Sequence, residues 1–145
     1  MWERYGRTHT GVAIRSTIAR LIGALAASPP DVFLSAVSYV DYDKVVIPTA
    51  NALYPIVHKR LSYSSEMELR ALTVIPSPPN EGQYDLRNNP PGIYVPVDLA
   101  MLVEAVYVAP TAPTWLAETV GRAVRTAIRV DVPIRQSRLG EAPLF

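Results

Sequence analysis

The chain has 145 residues, of which 49% are hydrophobic and 19% are charged, as is usual for a globular protein with one hydrophobic core. Its net charge of +1 indicates no global attraction to nucleic acid or to a membrane surface. The chain has no cysteine, which excludes disulfides and thiolate metal sites, and His9 and His58 lie in no cluster with metal-ligand spacing. No apolar run approaches the roughly 18 residues that span a bilayer, and no signal-peptide pattern opens the chain. We therefore expect a cytoplasmic protein that holds no metal and needs no cofactor.

Residues 11–75 are predicted to alternate between short strands and helices. The apolar and turn-forming residues predict, in chain order, a strand over 11–14, a helix capped by Ser16 and ended by Pro29, strands over 32–40 and 45–47, a helix over 51–62 and a strand over 69–75. The inward side chains of the two helices are predicted to be Ile18, Leu21, Ile22 and Leu25, then Leu53, Ile56, Val57 and Leu61.

The rest of the chain begins with a region rich in proline, glycine and asparagine over 76–92, which predicts a long loop. Further elements follow, with strands over 93–97 and 103–108, a helix from Thr111 to Ala127, a last strand over 128–132 and an irregular tail from 133. In that helix we expect the inward residues to be Leu116, Val120, Ala123 and Ala127. The prediction is one α/β (α+β) domain over 1–145, with a mixed, partly antiparallel sheet and about three helices.

The main candidate for chemistry is Glu66-x-Glu68-x-Arg70. On a strand, alternate residues point to one face, so two carboxylates and a guanidinium would lie side by side. Two close carboxylates push their pKa values apart, which suits acid–base catalysis by Glu66 and Glu68. The alternative is an exposed strand face that carries an ordinary ladder of ion pairs.

Two weaker candidates accompany this motif. Trp2 and Tyr5, followed by Gly6, could line a pocket for a planar ligand, although such aromatics more often belong to a core. Three arginines at helical spacing could contact phosphates, although a solvated helix face is the simpler reading; they are Arg122, Arg125 and Arg129. The chain carries none of the motifs of kinases, dinucleotide-binding dehydrogenases, serine hydrolases or zinc proteases.

An ordered set of short motifs resembles a bacterial family known only as a domain of unknown function (DUF2971-like). The motifs are Trp2-x-x-Tyr5-Gly6, Gly11-Val12-x-Ile14, Val37-x-Tyr39, Lys59 and Tyr63-x-x-Glu66-x-Glu68-x-Arg70. Two later stretches resemble a subgroup of the same family: Val106-Tyr107-Val108-Ala109-Pro110 with Trp115, and Gln136-Ser137-Arg138-Leu139. The resemblance covers most of the chain.

The resemblance implies a role in bacterial conflict or phage defence, by association with neighbouring genes. It marks Trp2, Tyr5, Lys59, Tyr63 and Arg70 as expected ligand-binding residues beside the two glutamates. Members of the family usually carry a further polar motif before the W-x-x-Y motif. Because Met1 precedes Trp2 directly, we expect that segment to be missing or supplied otherwise.

Two functions remain open at this point. One is a binding or regulatory module, whose polar cluster holds the fold or docks a partner. The other is a nucleotide-acting effector or an enzyme similar to NAD-using ADP-ribosyltransferases. In such an enzyme one glutamate holds the nicotinamide ribose, and Arg15-Ser16-Thr17 would correspond loosely to the strand that precedes it. For either function we expect a homo-oligomer or a protein partner, because a shortened domain exposes a sheet edge.

Overall fold

The computed structural model of the chain describes residues 2, 9–48, 50–74 and 92–140. It contains helices together with parallel and antiparallel strand pairs, so the predicted α+β class is confirmed. The chain divides into two compact units, one from Met1–Ala27 and Pro96–Phe145, the other from Ser28–Val95. We call them the discontinuous unit and the inserted unit. The single domain expected over 1–145 stays a prediction, and the loop expected over 76–92 lies outside the described residues except for Gly92.

The discontinuous unit contains a three-stranded sheet. Its elements in chain order are β1 (Val12–Arg15), α1 (Ile18–Leu25), α2 (Leu99–Leu102), β6 (Ala105–Val108), α3 (Thr114–Ile128) and β7 (Ile134–Gln136). Strand β6 lies in the centre, antiparallel to β1 and parallel to β7. The parallel pair requires a crossover, which α3 supplies.

The core of this unit lies between the sheet and α3. Val103, Val106 and Val132 are buried. They pack against partly buried side chains, namely Leu102, Val120, Val124, Ile128 and Ile134. Because the helix turns its Val120–Val124–Ile128 stripe inward, Ala123 and Ala127 are exposed, and their predicted inward position was wrong.

Helix boundaries and faces differ from the prediction at several points. Thr17, rather than Ser16, caps α1, because its hydroxyl accepts the Arg20 N–H at 3.2 Å. Ile18 and Ile22 are 59% and 54% exposed, so their predicted inward position was wrong, whereas Leu21 and Leu25 are half-buried beside the buried Ala24. Helix α3 begins after Pro113, not at Thr111. Residues 128–132 form no strand, and the last strand, β7, lies inside the predicted tail.

Trp2 belongs to the core of the discontinuous unit. Its side chain is buried, and its indole Nε1–H donates to Ser137 Oγ at 2.9 Å. Ser137 is also buried, and its backbone N–H extends the hydrogen bonding between β6 and β7 by donating to the Val108 carbonyl. Trp2 therefore takes the core position that sequence analysis gave as the alternative to a ligand pocket, while Tyr5 lies outside the described residues.

The inserted unit contains two separate two-stranded sheets. Strand β2 (Val32–Ala36) pairs antiparallel with β5 (Leu69–Thr73), and β3 (Ser38–Val40) pairs parallel with β4 (His58–Arg60). Two 3₁₀ helices flank β4, at Pro55–Val57 and Leu61–Glu66. Within residues 28–48, 50–74 and 92–95, Val37 is the one buried hydrophobic residue.

Several predictions for the inserted unit were wrong. The strand expected over 32–40 divides at Val37, whose N–H donates to the Glu68 carbonyl, so that the two halves pair with different strands. The helix expected over 51–62 is replaced by the two 3₁₀ helices and β4, because Pro55 cannot donate within a helix. Residues 45–47 and 93–97 form no strand.

Replacing Ser137 with Ala should destabilise the protein by about 1–3 kcal/mol, because the buried indole N–H of Trp2 loses its acceptor. Urea unfolding followed by tryptophan fluorescence measures the change in the free energy of unfolding. Thr119→Ala, at an exposed position of α3, is the control and should leave stability within about 0.5 kcal/mol. Equal stabilities of the two variants would contradict the role given to the Trp2–Ser137 contact.

Candidate functional site

The motif that sequence analysis singled out forms one ionic cluster in the inserted unit. Lys59 Nζ donates to Glu66 Oε2 and, at 3.3 Å, to Glu68 Oε2. Arg70 Nε donates to Glu68 Oε1 at 2.8 Å, and Nη2 donates to Glu68 Oε2 at 3.3 Å. Two carboxylates therefore meet two cations, and their charges balance. We refer to Lys59, Glu66, Glu68 and Arg70 as the ionic cluster.

The backbone around the cluster positions these side chains. Tyr39 and Lys59 are register partners in the parallel pair β3–β4, so their side chains share one face of that sheet. The Glu68 N–H donates to the Tyr39 hydroxyl at 2.8 Å, and Arg70 Nη1 donates to the Ile56 carbonyl. The cluster thus connects β3, β4, β5 and the first 3₁₀ helix of the inserted unit.

The expectation that residues 66–70 form one strand was wrong in its first part. Glu66 ends the second 3₁₀ helix, Met67 is left-handed with φ 46° and ψ 48°, and β5 begins at Leu69. The left-handed residue turns the chain so that both carboxylates reach Lys59. A non-glycine residue in this region is uncommon and is held there by the surrounding structure.

The electrostatics of the cluster favour the charged form of every group with a displaced pKa. The hydrogen bond from Arg70, followed by that from Lys59, lowers the pKa of Glu68 below its ordinary value. Hydrogen bonding to Glu66 raises the pKa of Lys59, and hydrogen bonding to Glu68 raises the pKa of Arg70. The lowered pKa of Glu68 keeps this carboxylate ionised at neutral pH, while the predicted separation of the two glutamate pKa values stays a prediction.

The remaining predicted ligand-binding residues are in different places. Tyr63 joins the cluster through its ring, whose centroid lies 5.0 Å from Lys59 Nζ in a cation–π contact. Trp2 belongs to the core of the discontinuous unit, and Tyr5 lies outside the described residues. Whether these residues bind a ligand, and whether Glu66 or Glu68 is catalytic, stays a prediction.

The arginine stripe is only partly helical. Arg122 and Arg125 are exposed on α3, whereas Arg129 follows the helix in the left-handed conformation, with φ 59°. Among residues 2, 9–48, 50–74 and 92–140, no group of three His, Cys, Asp or Glu side chains could hold a metal ion. In the same part of the chain, no helix is long and apolar enough to cross a membrane.

Sequence reasoning missed two partners of the cluster, the Tyr39 hydroxyl and the Ile56 carbonyl. The V-x-Y motif did contain Tyr39, but nothing in the spacing indicated that this side chain would accept the Glu68 N–H. A backbone carbonyl such as that of Ile56 leaves no sequence signal at all.

Comparisons of this chain with protein-family models, with curated proteins and with solved structures found no match.

The pKa displacements predict how stability depends on pH. Because the pKa of Glu68 is lowered by folding, its contribution is present above the ordinary value of 4.5 and is lost as pH falls below it. Because the pKa of Lys59 is raised, its contribution is present below 10.5 and is lost as pH rises above it. Chemical unfolding followed by circular dichroism from pH 3 to pH 11 should therefore give a plateau with a loss at each end.

Glu68→Gln should reduce the loss of stability at the acidic end, since the titrating group is gone. Asp41→Asn is the matched control, because Asp41 forms an exposed pair with Lys44 at 3.0 Å. If stability falls equally steeply at acidic pH in Glu68→Gln and in the unchanged protein, the loss of stability does not come from Glu68 and the prediction is wrong.

Proposed function

We propose that this chain is a non-catalytic binding or regulatory module of the bacterial cytoplasm, and that its ionic cluster holds the inserted unit together. The observation that carries the proposal is the mutual pairing within the cluster. Both oxygens of Glu68 accept hydrogen bonds from Arg70, and one of them also accepts from Lys59. Glu66 is only 10% exposed and pairs with the same lysine.

This arrangement disfavours Glu68 as a general acid. A general acid must keep its proton near the working pH, which requires a raised carboxyl pKa. The pKa of Glu68 is displaced in the opposite direction, mainly by Arg70. A glutamate that holds a ribose hydroxyl, as the ADP-ribosyltransferase alternative requires, would first have to release its guanidinium partner.

The wider biological role is proposed from the motif resemblance. The ordered motifs resemble the DUF2971-like family, whose association with phage-defence genes suggests a conflict-system role for this chain. The W-x-x-Y, V-x-Y and Q-S-R-L motifs each supply a structural contact, through Trp2, Tyr39 and Ser137. Because these motif residues connect elements of the fold, they favour a module that presents a binding surface.

Exposed aliphatic side chains support association with a second copy of the chain. Strand β1 lies at the edge of the three-stranded sheet, and the side chains of its Val12 and Ile14 are 47% and 65% exposed. On the following helix, Ile18 and Ile22 are also exposed. Unpaired strand edges and exposed apolar side chains are typical of association surfaces.

A thermal melt with NAD distinguishes the two functions. For the binding module we expect no rise in melting temperature with NAD, and a lower melting temperature in Glu68→Gln than in Asp41→Asn. An NAD-using enzyme at about 100 times the Kd would be stabilised by about 2.7 kcal/mol, or roughly 5–10 °C. Such a rise, lost in Glu68→Gln, would overturn the proposal in favour of the enzyme.

Light scattering after size exclusion tests the association. We expect a mass that is a multiple of 15.9 kDa at high micromolar concentration. The double variant Ile14→Lys, Ile22→Lys should return the mass to 15.9 kDa. Val46→Lys is the control, because Val46 is 91% exposed in the inserted unit and should not affect assembly. A monomer at every concentration would refute the proposed oligomer.

A further inference from the structure

A second polar group, which the proposed function does not use, lies on the sheet of the discontinuous unit. Val106 and Ile134 point into the core, so the neighbouring residues Tyr107 and Arg135 point to the opposite face of the sheet. The two are register partners across β6 and β7. Arg15, on β1, is diagonal to Tyr107, because its own register partner is Ala105.

Two guanidinium groups flank one phenol on this face. Arg15 Nη1 donates to the Tyr107 hydroxyl at 3.5 Å, and Arg135 lies beside Tyr107 as its register partner on β7. The hydrogen bond from Arg15, and after it the neighbouring guanidinium of Arg135, lower the pKa of Tyr107. The small side chains of Ala13 and Ala105 share this face of the sheet with Tyr107 and Arg15.

The charges around the phenol are not balanced. Within the described part of the chain, the one acidic partner is Glu104, whose Oε1 lies 3.1 Å from Arg15 Nη2. Arg15 and Arg135 contribute two positive charges against that single carboxylate. Both arginines are exposed to solvent, so an incoming anion reaches them without displacing core residues.

We infer that Arg15, Tyr107 and Arg135 form a binding site for the phosphate group of a small phosphorylated molecule. Guanidinium groups bind phosphate through paired, charge-assisted hydrogen bonds, and here two of them lie on one face of the sheet beside the same phenol. When a phosphate lies between the two arginines, the Tyr107 hydroxyl donates a third hydrogen bond to it. The site lies in the discontinuous unit and shares no residue with the ionic cluster. The inference therefore does not depend on the proposed function.

Titration of the ¹⁵N-labelled full chain with inorganic phosphate, followed by NMR, tests the inference. Phosphate should cause saturable shifts of the Arg15 and Arg135 side-chain resonances, with a Kd on the order of millimolar. Arg135→Gln should weaken binding at least about tenfold, since one charge-assisted hydrogen bond is lost. Arg122→Gln, an exposed arginine on α3, is the control and should leave the Kd unchanged.

Glu104→Gln is the most selective variant. It removes the carboxylate that competes for Arg15, so phosphate should bind more tightly, whereas a damaged fold would bind more weakly. Parallel titrations with adenosine and with AMP separate a free-phosphate site from a nucleotide site, because only the latter binds AMP more tightly than phosphate. Absence of saturable shifts, or equal weakening in Arg122→Gln and Arg135→Gln, would overturn the inference.

Discussion

The forked contact between Arg70 and Glu68 lies at the centre of the polar network that joins the elements of the inserted unit. Around it, Lys59 and Glu66 extend the charge pairing, and Tyr39 accepts the backbone N–H of Glu68. Each two-stranded sheet of this unit would be marginal alone, because two strands bury too little apolar surface to be stable in water. The ionic cluster supplies the connection between the sheets that a hydrophobic core supplies elsewhere.

The two units differ in the interactions that join their elements. In the discontinuous unit, valines of β6 and its neighbours pack against the stripe of α3, and such packing depends little on salt. In the inserted unit, ion pairs of the cluster join β4 to β5 and to the second 3₁₀ helix, and partly exposed ion pairs are screened by salt. Conditions that screen or neutralise charges therefore act on one unit more than on the other.

Sequence patterns predicted the elements whose signals are local. The helix over 114–128 and the strands that begin near residues 12, 32, 69 and 105 follow from apolar periodicity and β-branched residues. The helix expected over 51–62 failed because Pro55 outweighs the apolar spacing. The inward face of α3 contains Val124 in place of the expected Ala123, because the larger apolar side chain packs against the core.

The candidate site was predicted in its composition but not in its geometry. The motif contained Lys59, Glu66, Glu68 and Arg70, and these side chains do meet. Their complete pairing could not be predicted, because it depends on the left-handed turn at Met67 and on the partners that β3 and β4 bring from earlier in the chain. Spacing shows which residues share a face, but not which charges neutralise one another.

The pairing of β1 with β6 has a consequence for synthesis on the ribosome. Val12 faces Val108 in the register, so β1 is translated long before its partner exists. At about 5–20 residues per second, roughly 5–20 seconds pass before β6 is translated. During that interval an apolar strand, whose Val12 and Ile14 stay exposed even in the folded chain, has neither a neighbour nor a core. The discontinuous unit can therefore complete its sheet only after the inserted unit has been translated.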